Sequence, residues 1–256
     1  MIIISGYFGL KCKGIYPAPL KTKSLFFSNN RMLKKIAEKQ GWKFIYIRNF
    51  SLTSNYRISS LQSKYIKFLQ FNFKELGISN DEDILYFDHK LYVKKEHLAD
   101  VIKYCKKDLL IRSDPNNKTI WDEINDASLH PRYKYGMLKT INWVMKKIDA
   151  RDYLEKNKLA LTGFIYYKRP EKFFNLTDEM FKMCVELDQP ECQIIWSVLS
   201  EPYSNSISQI CAKKINPIWK KSRAGFNIFN SIYSHIYYVI IFLLEKVYTR
   251  KKRKFI

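Results

Sequence analysis

Four consecutive apolar residues, Ile84-Leu85-Tyr86-Phe87, stop abruptly at Asp88-His89-Lys90. A wholly apolar run this short, bounded by polar residues, predicts a strand buried on both faces, as in a parallel sheet. Open α/β sheets hold their ligands beyond the carboxyl ends of the strands. Asp88 therefore stands where a carboxylate can hold a metal–phosphate or a sugar hydroxyl. A strand-end Asp also starts turns, so the surrounding elements must separate the two readings.

Those elements alternate. Residues 2–8 predict a first strand, 25–27 a second that stops in Ser28-Asn29-Asn30, 31–40 a helix, and 42–47 a third strand. Alternation from the start predicts a doubly wound α/β sheet. No Gly-rich phosphate loop follows the first strand, so the dinucleotide fingerprint is absent. Residues 54–76 predict one long helix whose apolar stripe is Leu61, Tyr65, Phe68 and Leu69. Arg57, Ser60 and Lys64 share a second face of it, and two cations on one face just before Asp88 can hold a diphosphate. Residues 94–105 predict a helix and 109–111 a strand that runs into Arg112. Thr119 and Asp122 predict a capped helix start, with Glu123 next on that helix. Residues 133–148 carry a core-facing seam, 159–167 predict a strand with Gly163 inside it, and 176–187 predict a helix. Gly in a strand admits a close approach by ligand or backbone. Asp188-Gln189-Pro190-Glu191 has capping-box spacing ahead of a further helix, a geometry that can also turn Asp188 and Gln189 into a cleft.

The 256 residues allow one large α/β domain with a substantial core. The net charge of +21 has two sources: an anionic partner, or the Lys-, Asn- and Ile-rich usage of an AT-rich genome. Five cysteines, odd in number and widely spaced, form no CxxC or Cys/His cluster. They predict reduced packing residues in a cytosolic protein rather than a zinc site or disulfide framework. The start, Met1-Ile2-Ile3-Ile4, lacks the basic lead of a signal peptide.

The tail is different material. Residues 226–244 form a stretch of nineteen without Asp, Glu, Lys or Arg, preceded by Lys213, Lys214, Lys220, Lys221 and Arg223 and followed by Arg250-Lys251-Lys252-Arg253-Lys254. An aromatic, apolar segment between basic clusters predicts an amphipathic C-terminal helix on an anionic membrane surface. The boundary falls at 213, giving a domain over 1–212 and a membrane-associating tail over 213–256.

The order of short motifs resembles the GT-A nucleotide-sugar glycosyltransferases. It runs Gly6-Tyr7-Phe8, Phe26-Phe27-Ser28-Asn29-Asn30, Arg57…Lys64, Tyr86-Phe87-Asp88, Arg112, Gly163-Phe164-Ile165, then Asp188-Gln189. More narrowly it resembles a bacterial hexosyltransferase-like group distantly similar to glycosyltransferase family eight. The resemblance covers roughly residues 1–200. It implies a GT-A-like, Rossmann-like domain with a mixed, mainly parallel sheet, peripheral on the inner face of the cell membrane. Its donor would be a nucleotide sugar and its acceptor a surface glycan or glycolipid such as lipopolysaccharide or capsule.

The resemblance also implies roles. Tyr7, Arg57, Lys64, Asp88, Lys90 and Arg112 would line the donor site. Gly163 and Phe164 would lie under the acceptor, and Asp88, Asp188 and Gln189 would carry the chemistry. The family's Asp-x-Asp element usually holds Mn²⁺ or Mg²⁺ through oxygen ligands. Here Lys90 replaces the second carboxylate, leaving Asp88 and His89 as the metal ligands on offer and Lys90 as a substitute for the metal's charge. Two other classes fit parts of the chain. A pI near 9.6 with 16% aromatic residues permits nucleic-acid binding, although no zinc finger, helix-turn-helix or RNP motif is legible, so no nucleic-acid partner is expected. The missing carboxylate also permits a degenerate transferase acting as a scaffold.

Overall fold

The computed structural model describes residues 1–10, 12, 14–20 and 23–219. The strands are β1 (Ile2–Gly6), β2 (Ser24–Ser28), β3 (Lys43–Tyr46), β4 (Ile84–Phe87), β5 (Leu91–Tyr92), β6 (Leu109–Ser113), β7 (Ala160–Tyr167), β8 (Ile207–Cys211) and β9 (Ile218–Trp219). The helices are α1 (Lys34–Lys39), α2 (Tyr56–Gln62), α3 (Lys64–Lys67), α4 (Phe73–Leu76), α5 (Lys95–Tyr104), α6 (Ile120–Leu129), α7 (Lys134–Lys147), α8 (Ala150–Lys156), α9 (Phe174–Glu186) and α10 (Cys192–Leu199).

Seven strands form one sheet in the order β3-β2-β1-β4-β7-β6-β8. Pairing is parallel for β1 with β2 and β4, β2 with β3, and β6 with β8, while β7 runs antiparallel between β4 and β6. This is an α/β, Rossmann-like domain with a mixed, mainly parallel sheet. Side chains alternate across it, as the two-residue period of a strand requires. Ile4, Phe27, Ile84, Tyr86 and Tyr167 enter one core with α3, α9 and α10, while Ile3, Phe26, Leu85, Phe87 and Tyr166 enter the other with α1 and α5. Both faces are covered, which explains why these strands read as continuous apolar runs. A third cluster joins α6, α7, α8 and α10 beside the sheet.

The local signals behave as their chemistry dictates. The Asp122 amide donates to Thr119 Oγ1 at 3.1 Å and the Thr119 amide to Asp122 Oδ2 at 2.8 Å, closing the expected capping box. Ser5 Oγ donates to the Phe87 carbonyl at 2.8 Å, fixing β1 against the end of β4. At Gly6 an added Cβ would meet the Phe27 carbonyl oxygen at 2.4 Å and Ile66 Cδ1 at 2.6 Å, so the glycine lets α3 lie directly on the sheet.

Two expectations need correction. The single helix over 54–76 is three short ones: α2, α3 and α4. Ser63 Oγ turns back to the Ser60 carbonyl at 2.6 Å, a local bond that competes with the helix ladder. Leu69 then adopts φ +55°, which ends α3 outright. The Asp188–Glu191 capping box does not form. Asp188 has φ +53° and Glu191 is itself the N-cap of α10, accepting from the Gln193 amide at 3.2 Å. The strand expected over 159–167 is present as antiparallel β7, the one that makes the sheet mixed, and it carries an irregularity opposite Ile111/Arg112.

Past 212 the chain is still part of the packing. Ile215 is fully buried, and β9 pairs with β5. The expected membrane helix over 226–244 and its basic flank lie outside the described residues. No described helix is long and apolar enough to cross a membrane.

Candidate active site

The sheet's topology brings the carboxyl ends of β1, β2, β4 and β6 to one edge, together with the beginning of antiparallel β7. A buried polar network holds the loops there. Asn29 Oδ1 accepts from the Gly9 amide at 3.0 Å, and Asn29 Nδ2 donates to the Ser51 carbonyl at 2.9 Å. Asn30 Nδ2 donates to the Gly9 carbonyl at 3.2 Å, and Gln62 Nε2 also reaches Ser51. A fully bonded network of this kind is rigid. The Asn29-Asn30 pair therefore does more than turn the chain.

Asp88 is the centre of the edge. Its amide donates to the Gly163 carbonyl at 2.9 Å, and its carbonyl accepts from Leu91, so the expected turn is also present. In β7 the register with β6 jumps from Ile111↔Ile165 to Arg112↔Leu161, leaving Thr162, Gly163 and Phe164 in the bulge. Bulges re-aim side chains near functional sites. This one places Gly163 against Asp88 and lays the Arg112 guanidinium 4.9 Å from the Phe164 ring centroid.

Cations crowd the Asp88 carboxylate. Lys67 Nζ lies 3.4 Å from Asp88 Oδ1, and the Tyr86 hydroxyl donates to the same oxygen at 2.5 Å. Burial works to raise the Asp88 pKa, but Lys67, the Tyr86 hydrogen bond, Lys64 and Lys90 outweigh it and hold it at about 2. Lys67 is only 5% exposed; it also reaches Cys192 Sγ at 3.7 Å and lies 5.4 Å from the Tyr86 ring centroid. Lys64 is likewise buried, yet among the described residues its ammonium makes no hydrogen bond or ion pair. Burial lowers its pKa, but the field of Cys192, Cys184, Glu191 and Asp88 more than offsets that and leaves it raised. Lys90 is pulled down, first by burial, against the opposing pull of Asp88. Burial takes Arg112 down to about 10; its Nη1 donates to the Ile215 carbonyl at 3.2 Å, and its buried Nε has no partner among the described residues.

The other expected residues are placed as follows. Tyr7 sits at the end of β1 with its ring edge-on to His89 at 4.9 Å. Burial, then the positive Lys90, lowers the His89 pKa to about 4, so the imidazole is neutral at pH 7. Arg57 does not reach Asp88. It pairs with Asp188, and its guanidinium lies 5.5 Å from the Tyr135 ring centroid. Phe164 is fully buried in the core and has no surface to offer an acceptor. Gln189 is also fully buried, with Nε2 donating to the Tyr133 carbonyl at 3.1 Å and Oε1 accepting from the Glu191 amide at 2.9 Å. Those bonds make it the brace of the Asp188 loop. Gly136 in α7 supports the same loop, because a Cβ there would meet both the Leu187 and Asp188 carbonyl oxygens at 2.5 Å.

Sequence reasoning missed Lys67, although a signal was available. Arg57, Ser60, Lys64 and Lys67 continue the same three-or-four spacing. It also missed Glu191, which was read as the far end of a capping box but faces Lys64 and Glu123. Glu123 is buried, paired with Lys118, and pushed up to about 7, chiefly by burial and then by Glu191. Arg132, from the turn before α7, acts on both His89 and Lys90, and no periodic pattern marks it.

A divalent metal fits this donor set poorly. Among the described residues no three of His, Cys, Asp and Glu come together as a ligand group. Asp88 is the one carboxylate at the β4 terminus, and one of its oxygens is already engaged by Lys67 and Tyr86. A dication about 5 Å from one ammonium is repelled by roughly 7 kcal/mol at an effective dielectric of 20. Two open surface hollows, one of about 140 Å³ near Tyr153 and Trp196 and one of about 310 Å³ beside Pro17 and Tyr92, are not lined by Asp88, Lys64 or Lys67.

Three known structures are similar over most of the chain, at low identity. A glycosyltransferase involved in glycosylation of the major capsid of PBCV-1 is similar over 92% of this chain and 100% of its own, at 9% identity and a TM-score of 0.42. The 4-diphosphocytidyl-2C-methyl-D-erythritol synthase of Anaerococcus prevotii is similar over 91% of this chain and 95% of its own, at 11% identity and a TM-score of 0.40. The bifunctional IspDF of Campylobacter jejuni is similar over 87% of this chain and 53% of its own, at 12% identity and a TM-score of 0.38. Similarity at this level bears on neither substrate nor reaction. No protein-family model matches the chain, and no curated protein matches its sequence.

Proposed function

We propose that this chain is a glycosyltransferase that moves a sugar from a nucleotide-diphosphate donor to a glycan or glycolipid acceptor. One observation carries the reading. Lys64, Lys67, Lys90 and Arg112 all act on Asp88 at the carboxyl ends of parallel strands, where α/β sheets bind ligands. Such an excess of buried positive charge is complementary to a diphosphate and to the charge that grows on it as it leaves.

In the proposed reaction the bond from the anomeric carbon to the diphosphate oxygen breaks, and a bond from that carbon to the acceptor oxygen forms. The acceptor's hydroxyl proton passes to a carboxylate, for which Asp188 is the candidate because it keeps 35% of its side-chain surface open. Arg57, paired with Asp188, orients that carboxylate. Asp88 holds Lys67 in place and can accept from a donor hydroxyl. Gln189 is a positioning residue. A basic tail on an anionic membrane would bring the domain to a lipid-linked acceptor.

A thermal-shift screen of UDP-, GDP- and CDP-sugars tests the reading. A ligand at a hundred times its Kd stabilises the fold by about 2.7 kcal/mol, so the cognate donor raises Tm by several degrees. A screen in which nucleoside triphosphates shift Tm and nucleotide sugars do not would replace glycosyl transfer with nucleotidyl transfer.

A further inference from the structure

The mismatch between the Asp88 surroundings and a divalent cation has a consequence for the donor site. We infer that the site binds the diphosphate of its substrate without a metal ion, the ammonium groups of Lys64 and Lys67 supplying the charge that a dication would otherwise provide. This inference rests on the reading of the site as a diphosphate site.

Three observations carry it. Lys64 and Lys67 are the first and last residues of the single-turn α3 and share one face of it, and Gly6 allows α3 to sit directly on β1 and β2. Both are more than nine-tenths buried, yet only Lys67 has a carboxylate partner. Most of the Lys64 side chain is buried, but its ammonium forms no hydrogen bond or ion pair among the described residues, so its hydrogen-bonding capacity is open to a ligand. An ammonium with unspent donors, held by its buried stem near a second ammonium, suits a ligand with several acceptor oxygens. Arg112 adds a buried guanidinium whose Nε is also unbonded among the described residues. The acidic groups facing these cations, Asp88 and Glu191, number two against the four cations Lys64, Lys67, Lys90 and Arg112. A further dication would worsen that imbalance, whereas a multiply charged anion with several acceptor oxygens relieves it.

The test is calorimetric titration of the full chain with inorganic pyrophosphate, in buffer containing EDTA and then in buffer containing Mg²⁺. Saturable binding in EDTA that Mg²⁺ does not tighten is expected. Lys64→Met should weaken it at least tenfold, and because Lys64 has no ion pair to break, this variant keeps its fold. Lys67→Arg, which preserves the charge beside Asp88, should retain binding within a fewfold, while Lys67→Met should not. Binding that disappears in EDTA and returns with Mg²⁺ would overturn the inference, as would unchanged affinity in Lys64→Met. Metal-free pyrophosphate binding without any nucleotide-sugar response would uphold this inference and remove the transferase reading. Nucleotide-sugar turnover that needs Mg²⁺ would do the reverse.

Discussion

Lys67 places its Nζ 3.4 Å from Asp88 Oδ1, joining the short helix on the sheet's face to the end of the strand beneath it. Lys67 is 5% exposed and Asp88 29% exposed, so most of this pair is out of water. Removing one partner strands the other. Asp88→Asn and Lys67→Met should each cost about 3 kcal/mol in urea unfolding. The double variant should cost less than the sum. Additive losses would mean that the two side chains do not act as a pair.

The Tyr86 hydroxyl supplies Asp88 with a second donor. Tyr86→Phe should raise the Asp88 pKa from about 2, observed by carboxyl-carbon NMR titration. The folded value lies below the ordinary 3.8, so this group's stabilisation is in place above that pH and is lost as pH falls toward about 2. The acid limb of a stability–pH curve should therefore flatten in Asp88→Asn.

Glu123 has the opposite sign. Its carboxyl is pushed up from 4.5 to about 7, so the folded state holds a proton that the unfolded state has released. Its contribution to stability falls as pH rises from about 4.5 to about 7. Glu123→Gln, a permanently neutral replacement, should gain on the native protein across that interval in denaturant melts. A constant difference between the two would contradict the buried-carboxyl account.

Gly136→Ala tests the support of the Asp188 loop. The new methyl would meet two backbone carbonyl oxygens at 2.5 Å. Backbone has to shift, and overpacking of this kind costs about 1–3 kcal/mol. The Arg57–Asp188 pair should loosen with it, seen as a drop in transfer rate larger than the change in donor affinity.

Much of this is legible in the sequence. The alternation of strand and helix carries the fold class, and the abrupt end of β4 singles out Asp88, because a strand buried on both faces leaves no polar position until it stops. What stayed hidden depends on contacts between distant segments. Ser63's bond to Ser60 and the positive φ of Leu69 break a periodic pattern that reads as one helix. Asp188 and Arg57 each read as groups directed at substrate, but the opposite charges of the first turn of α2 and the loop before α10 found each other first. Gln189 reads as polar and cleft-facing, yet its amide is spent on the backbone of Tyr133 and Glu191. Phe164 looks available beside Gly163, but the strand's alternation turns it inward.

Nucleotide release from a panel of nucleotide sugars, compared between the native chain and Asp88→Asn at a temperature where both are folded, tests the central claim most directly. The account predicts release with at least one donor and a loss of at least a hundredfold in the variant. Undiminished turnover by Asp88→Asn, or a folded native chain that processes none of the panel, would contradict it.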